Sequence, residues 1–388
     1  MQALAMKARG FACAVLTVSA VMLTASAVAG DEHAVLPPLK TIDVIASTVP
    51  GNGDVNPYGM AQVKRTVGNL RAGHILVSNF NNSGNAQGTG TTIVDVGPDG
   101  SMSLFAALDA GALPGSCPGG VGLTTALVAL EQGWVIVGSL PTSDGTSATA
   151  QAGCLIVLDS LGNAVETFSG TLINGPWDMT AFDGEREAKL FVSNVLNGTV
   201  AANGEVVKSG TVIRLDLKLS AHSMPELESI AVIGSGFPER TDPAALVIGP
   251  TGVALRARCA SDGDDCEQEG DREGALLYVA DTLSNRIAVI DRPLGRTTSA
   301  GTGRTLTSGG GLNGPLGLVV TPHGELLTVN GGDGFITEIS PGGTQRAKVL
   351  LDNSGSPPGA GALFGLVFDP AHGVYFVDDA TNTVNLLH

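Results

Sequence analysis

The chain has 388 residues, of which only 15% are charged, and its formal net charge at pH 7 is −16. So acidic a chain repels phosphate groups, which argues against nucleic acid and anionic membrane surfaces as partners. The length is ample for a large hydrophobic core, and no segment after the N-terminus has the roughly 18 consecutive apolar residues of a membrane-spanning helix.

The N-terminus has the pattern of a secretory signal peptide. Lys7 and Arg9 precede a short apolar run over residues 11–23, and Ala27-Val28-Ala29 fits a cleavage site of small residues. The run is too short for a transmembrane anchor, which is the alternative interpretation. We therefore expect residues 1–29 to be removed on export to a periplasm or the cell exterior, residues 30–39 to form a linker, and residues 40–388 to form one domain, which we expect to be monomeric.

Beyond the linker the sequence repeats six times. In each unit a turn marked by Gly or Pro leads into an apolar strand, and a second strand later ends in Val and a small or polar pair. These endings are Val77-Ser78-Asn79, Val137-Gly138-Ser139, Val192-Ser193-Asn194, Val279-Ala280-Asp281, Val329-Asn330-Gly331 and Val377-Asp378-Asp379. With a third strand in each unit and a fourth in all but the last, the pattern predicts an all-β, six-bladed β-propeller of four-stranded antiparallel blades.

The two ends of the repeat predict how the ring closes. The last unit stops after three strands, whereas a spare strand over residues 41–46 precedes the first unit. We expect the N-terminal strand to complete the last blade, which also hides strand edges that would otherwise promote aggregation. A two-sheet sandwich, the competing fold, would not predict this match between the two ends.

Two motifs carry a resemblance to known propellers. Residues 274–287 resemble an NHL repeat, and turns such as Gly314-Pro315-Leu316-Gly317-Leu318 resemble those of the wider group of gluconolactonases, lactonases and strictosidine-synthase-like proteins. The resemblance spans roughly residues 40–388 and implies the six-bladed fold. It says less about activity, because this superfamily contains hydrolases, lyases, binding modules and scaffolds.

The loops of the predicted blades differ in length around the ring. In the first three blades the connection between the second and third strands is long, over residues 80–90, 140–153 and 195–210, whereas the last three blades have tight turns. All three long loops should lie on one face, together with the connections between blades. Long irregular loops on a rigid frame are frequent binding sites, although surface decoration without a function explains them equally well.

Four cysteines remain after removal of the signal peptide, and an even number in an exported chain favours disulfides. Cys259 and Cys266 lie in one loop, which leaves Cys117 to pair with Cys154 on the face of the long loops. A zinc site is disfavoured because neither pair has Cys-x-x-Cys spacing and no histidine lies near them in sequence.

The residue before each turn glycine indicates whether the channel could hold a metal ion. In related calcium-dependent lactonases this position typically supplies a metal ligand, but here it reads Tyr58, Val121, Trp177, Thr251, Leu316 and Phe364. Calcium requires several oxygen ligands, so the family's metal site is not expected to carry over. The residues instead suggest an apolar mouth of the channel for an apolar ligand or peptide, or simply packing between blades.

Asp178 replaces the turn glycine in the third unit. It is either a lone channel carboxylate or, as we favour, a turn cap bonded to neighbouring backbone N–H groups. The polar residues at second-strand ends, including Asn79 and Asn194, recur at equivalent positions and so favour a structural role, with ligand binding as the alternative. Asp262, Asp264 and Asp265 lie in an acidic loop that has the composition of a surface calcium site without EF-hand spacing, and we favour a solvated acidic hairpin over calcium binding there.

From the sequence, we expect a binding or interaction module that uses the long loops of the first three blades and the apolar mouth. Its partner would be a protein, a peptide or a small apolar ligand, and it would require no cofactor beyond a possible structural calcium ion. The alternative is a hydrolase or lyase of the same superfamily, lactonase-like, with its site at the mouth of the channel.

Overall fold

The computed structural model describes residues 34–220, 223–257 and 274–388. They form six antiparallel sheets arranged as the blades of a propeller, which confirms the predicted fold. In each blade the chain runs from the innermost strand outward. Near-continuous apolar runs such as Cys154–Leu158 suit these short strands, because side chains point to opposite faces of a blade and both faces pack against a neighbouring blade.

Four blades have the regular four strands in chain order. Blade 1 comprises β2 (Val55–Gln62), β3 (Ile75–Asn81), β4 (Thr92–Val96) and β5 (Met102–Ala107). Blade 2 comprises β6 (Leu123–Ala129), β7 (Val135–Ser139), β8 (Cys154–Leu158) and β9 (Ala164–Phe168). Blade 4 comprises β15 (Pro250–Arg256), β16 (Leu276–Asp281), β17 (Arg286–Asp291) and β18 (Arg304–Ser308). Blade 5 comprises β19 (Pro315–Val320), β20 (Leu326–Asn330), β21 (Phe335–Ile339) and β22 (Gln345–Leu350).

Blade 6 closes the ring as predicted. Its first three strands are β23 (Leu363–Asp369), β24 (Gly373–Asp378) and β25 (Thr383–Leu387), and its outermost strand is β1 (Ile42–Ser47) from the N-terminus. The pairing is antiparallel and brings Ile42 opposite Leu387. The first and last strands of the domain are therefore hydrogen-bonded to each other, so the sheet that closes the ring depends on both ends of the chain.

Blade 3 departs from the repeat. It begins with β10 (Pro176–Asp183) and β11 (Glu187–Asn194), but its outer hairpin consists of the much longer β12 (Val207–Ser220) and β13 (Ser223–Asp242). A fifth strand, β14 (Leu246–Ile248), pairs with the end of β13. A four-residue helix, α1 (Thr199–Ala202), lies in the long loop before β12, and two short 3₁₀ turns occur at Ala110–Ala112 and Ser147–Thr149. No helix in the described part of the chain has the length and apolar character needed to cross a membrane.

The hydrophobic core lies between the blades. Leu76 and Ile93 of blade 1, for example, pack in one cluster with Val135 and Ile156 of blade 2, and all four are buried. The same arrangement recurs around the ring. Residues 34–39, assigned to the linker from sequence, also contact the ring, because Leu36 is fully buried and its N–H donates to the Glu338 carboxylate at 2.8 Å.

The structure contains the predicted disulfide between Cys117 and Cys154, with their Cα atoms 5.1 Å apart. Cys117 belongs to the connection between blades 1 and 2, and Cys154 begins β8 after the long loop of blade 2. The second predicted pair, Cys259 with Cys266, lies outside the described residues.

We expect the double substitution Cys117→Ala with Cys154→Ala to lower the free energy of unfolding by about 4 kcal/mol. The bond closes a loop with a sequence separation of 37, and its loss increases the entropy of the unfolded chain. Urea unfolding would measure the change, and far-UV circular dichroism would control for retention of the β fold. Equal unfolding midpoints for the oxidised wild type and the variant would contradict the expectation.

Candidate functional site

The six innermost strands enclose an elongated channel of about 370 Å³ along the axis of the ring. We call the face with the long loops and the connections between blades the upper face, and the opposite face the lower face. Most residues along the channel are apolar in type, although polar atoms make up more than half of its accessible wall; the larger apolar side chains include Met60, Leu127, Leu130, Met179, Leu255, Leu318, Leu366 and Phe368. A cavity of this volume and character is typical of a site for a small molecule.

Asp178 lies at the inner, upper end of this channel. Its carboxylate accepts a hydrogen bond from the Val253 N–H at 2.8 Å, and its own N–H donates to Ser193 Oγ at 3.1 Å. The side chain keeps some accessible surface, which faces the channel, while protein surrounds it on its other sides. Burial raises the pKa of Asp178 to about 7, although hydrogen bonds from the Val253 and Met179 N–H groups act in the opposite direction.

This geometry differs from the turn cap that the sequence favours for Asp178. The hydrogen bond to Val253 joins residues 75 positions apart and links blade 3 to blade 4. The side chain also lines the channel. It also accepts from the N–H of its neighbour Met179, as a cap would, so its role as a lone channel carboxylate remains a prediction.

The lower end of the channel reaches the solvent and carries charges of both signs. Asp183 is five residues beyond Asp178 on β10, which places it about 16 Å further along the strand. Its carboxylate accepts from the Glu131 N–H at 2.8 Å, and burial raises its pKa. Lys64 also lines this end and is exposed, and its charge opposes the rise in the pKa of Asp183.

The predicted apolar mouth at the upper end is closed. Tyr58, Trp177 and Phe364 are only 6%, 6% and 8% exposed and pack in one cluster. The ring centroids of Tyr58 and Phe364 are 3.9 Å apart, and those of Tyr58 and Trp177 are 6.3 Å apart. Leu316 is partly buried against the same cluster. We call this packed group of side chains the stopper. Ligand binding by these residues remains a prediction, because a ligand could reach them only if the stopper opened.

The position assigned to Val121 in this ring was wrong. In blade 2 the pairing passes from Leu123 opposite Ser139 to Leu127 opposite Val137, with an irregularity between them. By this register Thr125, and not Val121, is the equivalent of Tyr58 and Trp177. Its hydroxyl donates to the Trp177 carbonyl of the next blade.

A segment that the sequence analysis missed covers the stopper. Residues 242–248, here called the cap, connect blade 3 to blade 4 and include β14. Leu246 and Val247 are 2% and 4% exposed and belong to the same cluster as Tyr58 and Trp177. Leu246 has φ of +61°, which is unusual for a bulky residue. The apolar run over residues 245–248 was the signal in the sequence that could have identified this segment.

The long loops of blades 1 and 2 support the cap. The side-chain amide of Gln87 donates to the Ala244 carbonyl at 2.9 Å. The loops themselves are joined, since Thr142 donates from its N–H to Gly88 at 3.0 Å and from its hydroxyl to Gln87 at 2.6 Å. At least part of the predicted loop insertion therefore holds the upper end of the channel shut.

Asn79 and Asn194 do not line the channel. Both are fully buried. The Asn79 amide donates to the Thr48 carbonyl at 2.9 Å, and the Asn194 side-chain oxygen accepts from the Asn174 N–H at 2.9 Å. Each side chain thus ties a second strand to the loop that enters its blade, and their proposed contact with a ligand remains untested.

The residues at the upper mouth do not fit a calcium ion. Of the six side chains at the family's ligand position, none is a carboxylate or an amide, and the hydroxyls of Tyr58, Thr125 and Thr251 all bond within the protein. Within residues 34–220, 223–257 and 274–388, no three acidic, His or Cys side chains are grouped so as to hold a metal. The predicted weak calcium candidates Asp262, Asp264 and Asp265 lie outside the described residues. We therefore derive no step through a metal.

Comparison with known proteins identifies a shared fold. No protein-family model matches the chain, and no curated protein matches its sequence. Among solved structures, a gluconolactonase from Xanthomonas campestris is similar with a TM-score of 0.52 and 14% identity, covering 91% of this chain and 90% of its own. A streptogramin B lyase has a TM-score of 0.50 and 13% identity, with 90% and 97% coverage.

A third similar structure is regucalcin, a calcium-binding protein from Agrobacterium tumefaciens, with a TM-score of 0.50, 13% identity and coverage of 88% and 93%. At such identities the likeness shows the fold and not the activity. It confirms, at the level of the fold, the resemblance to the gluconolactonase group of six-bladed propellers.

Glu239, on β13 near the start of the cap, provides a test of the packing there. It is fully buried, and one carboxylate oxygen accepts from the Asn197 N–H at 3.0 Å. Burial raises its pKa to about 8. A carboxyl with a raised folded pKa contributes stability that is fully present below its ordinary pKa of 4.5 and is lost as the pH rises through about 8.

We therefore expect Glu239→Gln to become more stable relative to the wild type as the pH rises. Between about pH 5 and pH 8 the difference in the free energy of unfolding should move by on the order of 3 kcal/mol in favour of Gln, because the amide does not ionise. Urea unfolding at several pH values measures this difference. Glu226→Gln, at an exposed position of the same strand, is the matched control and should show little change.

Proposed function

We propose that the chain is an enzyme of the hydrolase or lyase class that takes a small, largely apolar molecule into the channel from the lower face and exchanges a proton with it through Asp178. The observation that carries this proposal is a buried carboxyl, of pKa about 7, whose remaining accessible surface faces the closed end of the central channel. A group that titrates near neutral pH is suited to general acid–base catalysis.

The surroundings of Asp178 support this role. The Val253 N–H holds one carboxylate oxygen, and Ser193 fixes the backbone by accepting from the Asp178 N–H and donating to the Thr251 carbonyl at 2.7 Å. In its ionised form, Asp178 would remove a proton from water in a hydrolysis or from the substrate in an elimination. The stopper limits the water that reaches it from above, which strengthens electrostatic interactions in the channel.

The structural neighbours are compatible with this proposal but do not carry it. They include a protein described as a gluconolactonase and one described as a lyase, so the fold accommodates chemistry on small molecules. Their identity to this chain is at most 14%, and the proposal therefore depends on the channel itself. The disulfide favours an exported protein, because disulfides form in oxidising compartments.

A binding module that uses the upper face is the second candidate function. The specific observation in its favour is that the loops of blades 1 and 2 and the cap are hydrogen-bonded to one another, which gives a preorganised surface. Because Tyr58, Trp177 and Phe364 are buried, a partner would contact the polar outer side of these loops and not an apolar mouth.

The enzyme proposal predicts a pH profile. With a panel of small aliphatic lactones and p-nitrophenyl esters, we expect kcat/KM to rise with pH through about 7 and then level off, because the ionised Asp178 acts as the base. Asp178→Asn keeps an acceptor for the Val253 N–H but cannot take up the proton, so turnover should fall by about 10²- to 10⁴-fold.

Asp183→Asn is the matched control, because it removes a carboxylate from the other end of the same channel. It should leave the rate and the pH profile near those of the wild type. Turnover that is equal in the wild type and in Asp178→Asn would contradict the role of Asp178.

A further inference from the structure

The charges along the channel are distributed unequally. Of the side chains in residues 34–220, 223–257 and 274–388 that line it, only Lys64, Asp178 and Asp183 carry a formal charge when ionised. Lys64 and Asp183 share the lower end, where each offsets the charge of the other, whereas Asp178 stands alone about 16 Å deeper. As far as the structure describes the chain, the inner end therefore presents a single acidic group and no positive charge.

Within the described residues, no cationic side chain is among the groups that affect the pKa of Asp178, which responds to burial and to two backbone N–H groups. Its ionised form is consequently uncompensated by any counter-ion, and a buried carboxylate gains most from a partner of opposite charge. An anionic ligand group at this position would meet repulsion without a compensating donor side chain. The formal charge of −16 on the whole chain adds attraction for cations over a longer range.

We propose that the inner end of the channel binds a basic nitrogen, so that the substrate or product is an apolar amine whose ammonium group pairs with the Asp178 carboxylate. Apolar side chains along the wall, such as Leu318 and Leu366, contact the hydrocarbon part. This inference rests on the proposed function only in its use of the same channel and of Asp178. It concerns binding, so it can be tested without turnover.

A series of three molecules with the same chain and different charge makes the test. Hexylamine, hexanol and hexanoate are titrated into the full-length protein at about pH 8, where both the amine and the Asp178 carboxyl are mainly ionised. Ligand-observed NMR measures each dissociation constant. We expect hexylamine to bind at least tenfold more tightly than hexanol, and hexanoate to bind more weakly than hexanol.

Substitutions then locate the interaction. In Asp178→Asn the affinity for hexylamine should fall tenfold or more, to that of hexanol, while the affinity for hexanol changes by less than about twofold. Asp183→Asn should retain the preference for the amine. Unchanged thermal unfolding and circular dichroism of both variants would show that the channel is intact.

Two results would overturn the inference. One is equal affinity of the wild-type protein for hexylamine and hexanol, and the other is loss of the preference in Asp183→Asn and not in Asp178→Asn, which would place the cation at the lower rim. The outcome is separable from that of the proposed function. Amine binding through Asp178 without turnover of any substrate would sustain this inference and count against the enzyme, whereas Asp178-dependent turnover of neutral lactones without amine binding would do the reverse.

Discussion

The close approach of the innermost strands at the centre of the ring determines the rest of the structure. A Cβ atom on Gly252 would lie 2.1 Å from the Leu316 carbonyl oxygen, and one on Gly317 would lie 1.9 Å from that of Phe364. On Gly365 it would lie 2.4 Å from the carbonyl oxygen of Tyr58. Side chains cannot be accommodated at such distances, so glycine lets these neighbouring blades meet backbone to backbone. This contact limits the width of the channel and brings the side chains of the stopper together.

Blade 3 has no glycine at this contact, and the candidate site results from the residue that replaces it. Asp178 stands where blades 1, 4, 5 and 6 have glycine, and its carboxylate extends to the Val253 N–H of blade 4. The tight ring that excludes side chains elsewhere surrounds this one with protein. Desolvation of the carboxyl is therefore a consequence of the architecture, because its position at the contact between inner strands leaves only the channel as a source of water.

The parts of the fold that local signals determine could be predicted from the sequence. The Gly and Pro turns and the missing last strand predicted six blades and their closure by β1, since each signal lies within a few residues of the feature it controls. The Cys117–Cys154 bond was predicted because Cys259 and Cys266 share one loop, which leaves these two cysteines, and the repeat placed both on one face. Asp178 was also identified as a departure from the repeat.

The remaining features depend on contacts between distant residues. The partner of Asp178, Val253, is 75 residues away, and Gln87 and Ala244 are 157 residues apart, so neither pair has a signature within a single unit. The burial of the cap was missed for the same reason, because Leu246 finds its neighbours only after the ring has closed. In blade 2 an irregularity in strand pairing shifted the register, and counting from the turn glycine consequently selected Val121 in place of Thr125.

The long loops on one side of the ring have a physical role here. They differ from the usual long loops of a propeller, which contact a ligand. Gln87 and Thr142, from the long loops of blades 1 and 2, hold the cap over Tyr58 and Trp177 and so keep the upper end of the channel closed. If that end opened, water would reach Asp178 from above, and its pKa would fall toward that of an ordinary aspartate. The loops thus act on the candidate site from a distance: by excluding water on one face, they maintain the protonation behaviour of a carboxyl that is approached from the other.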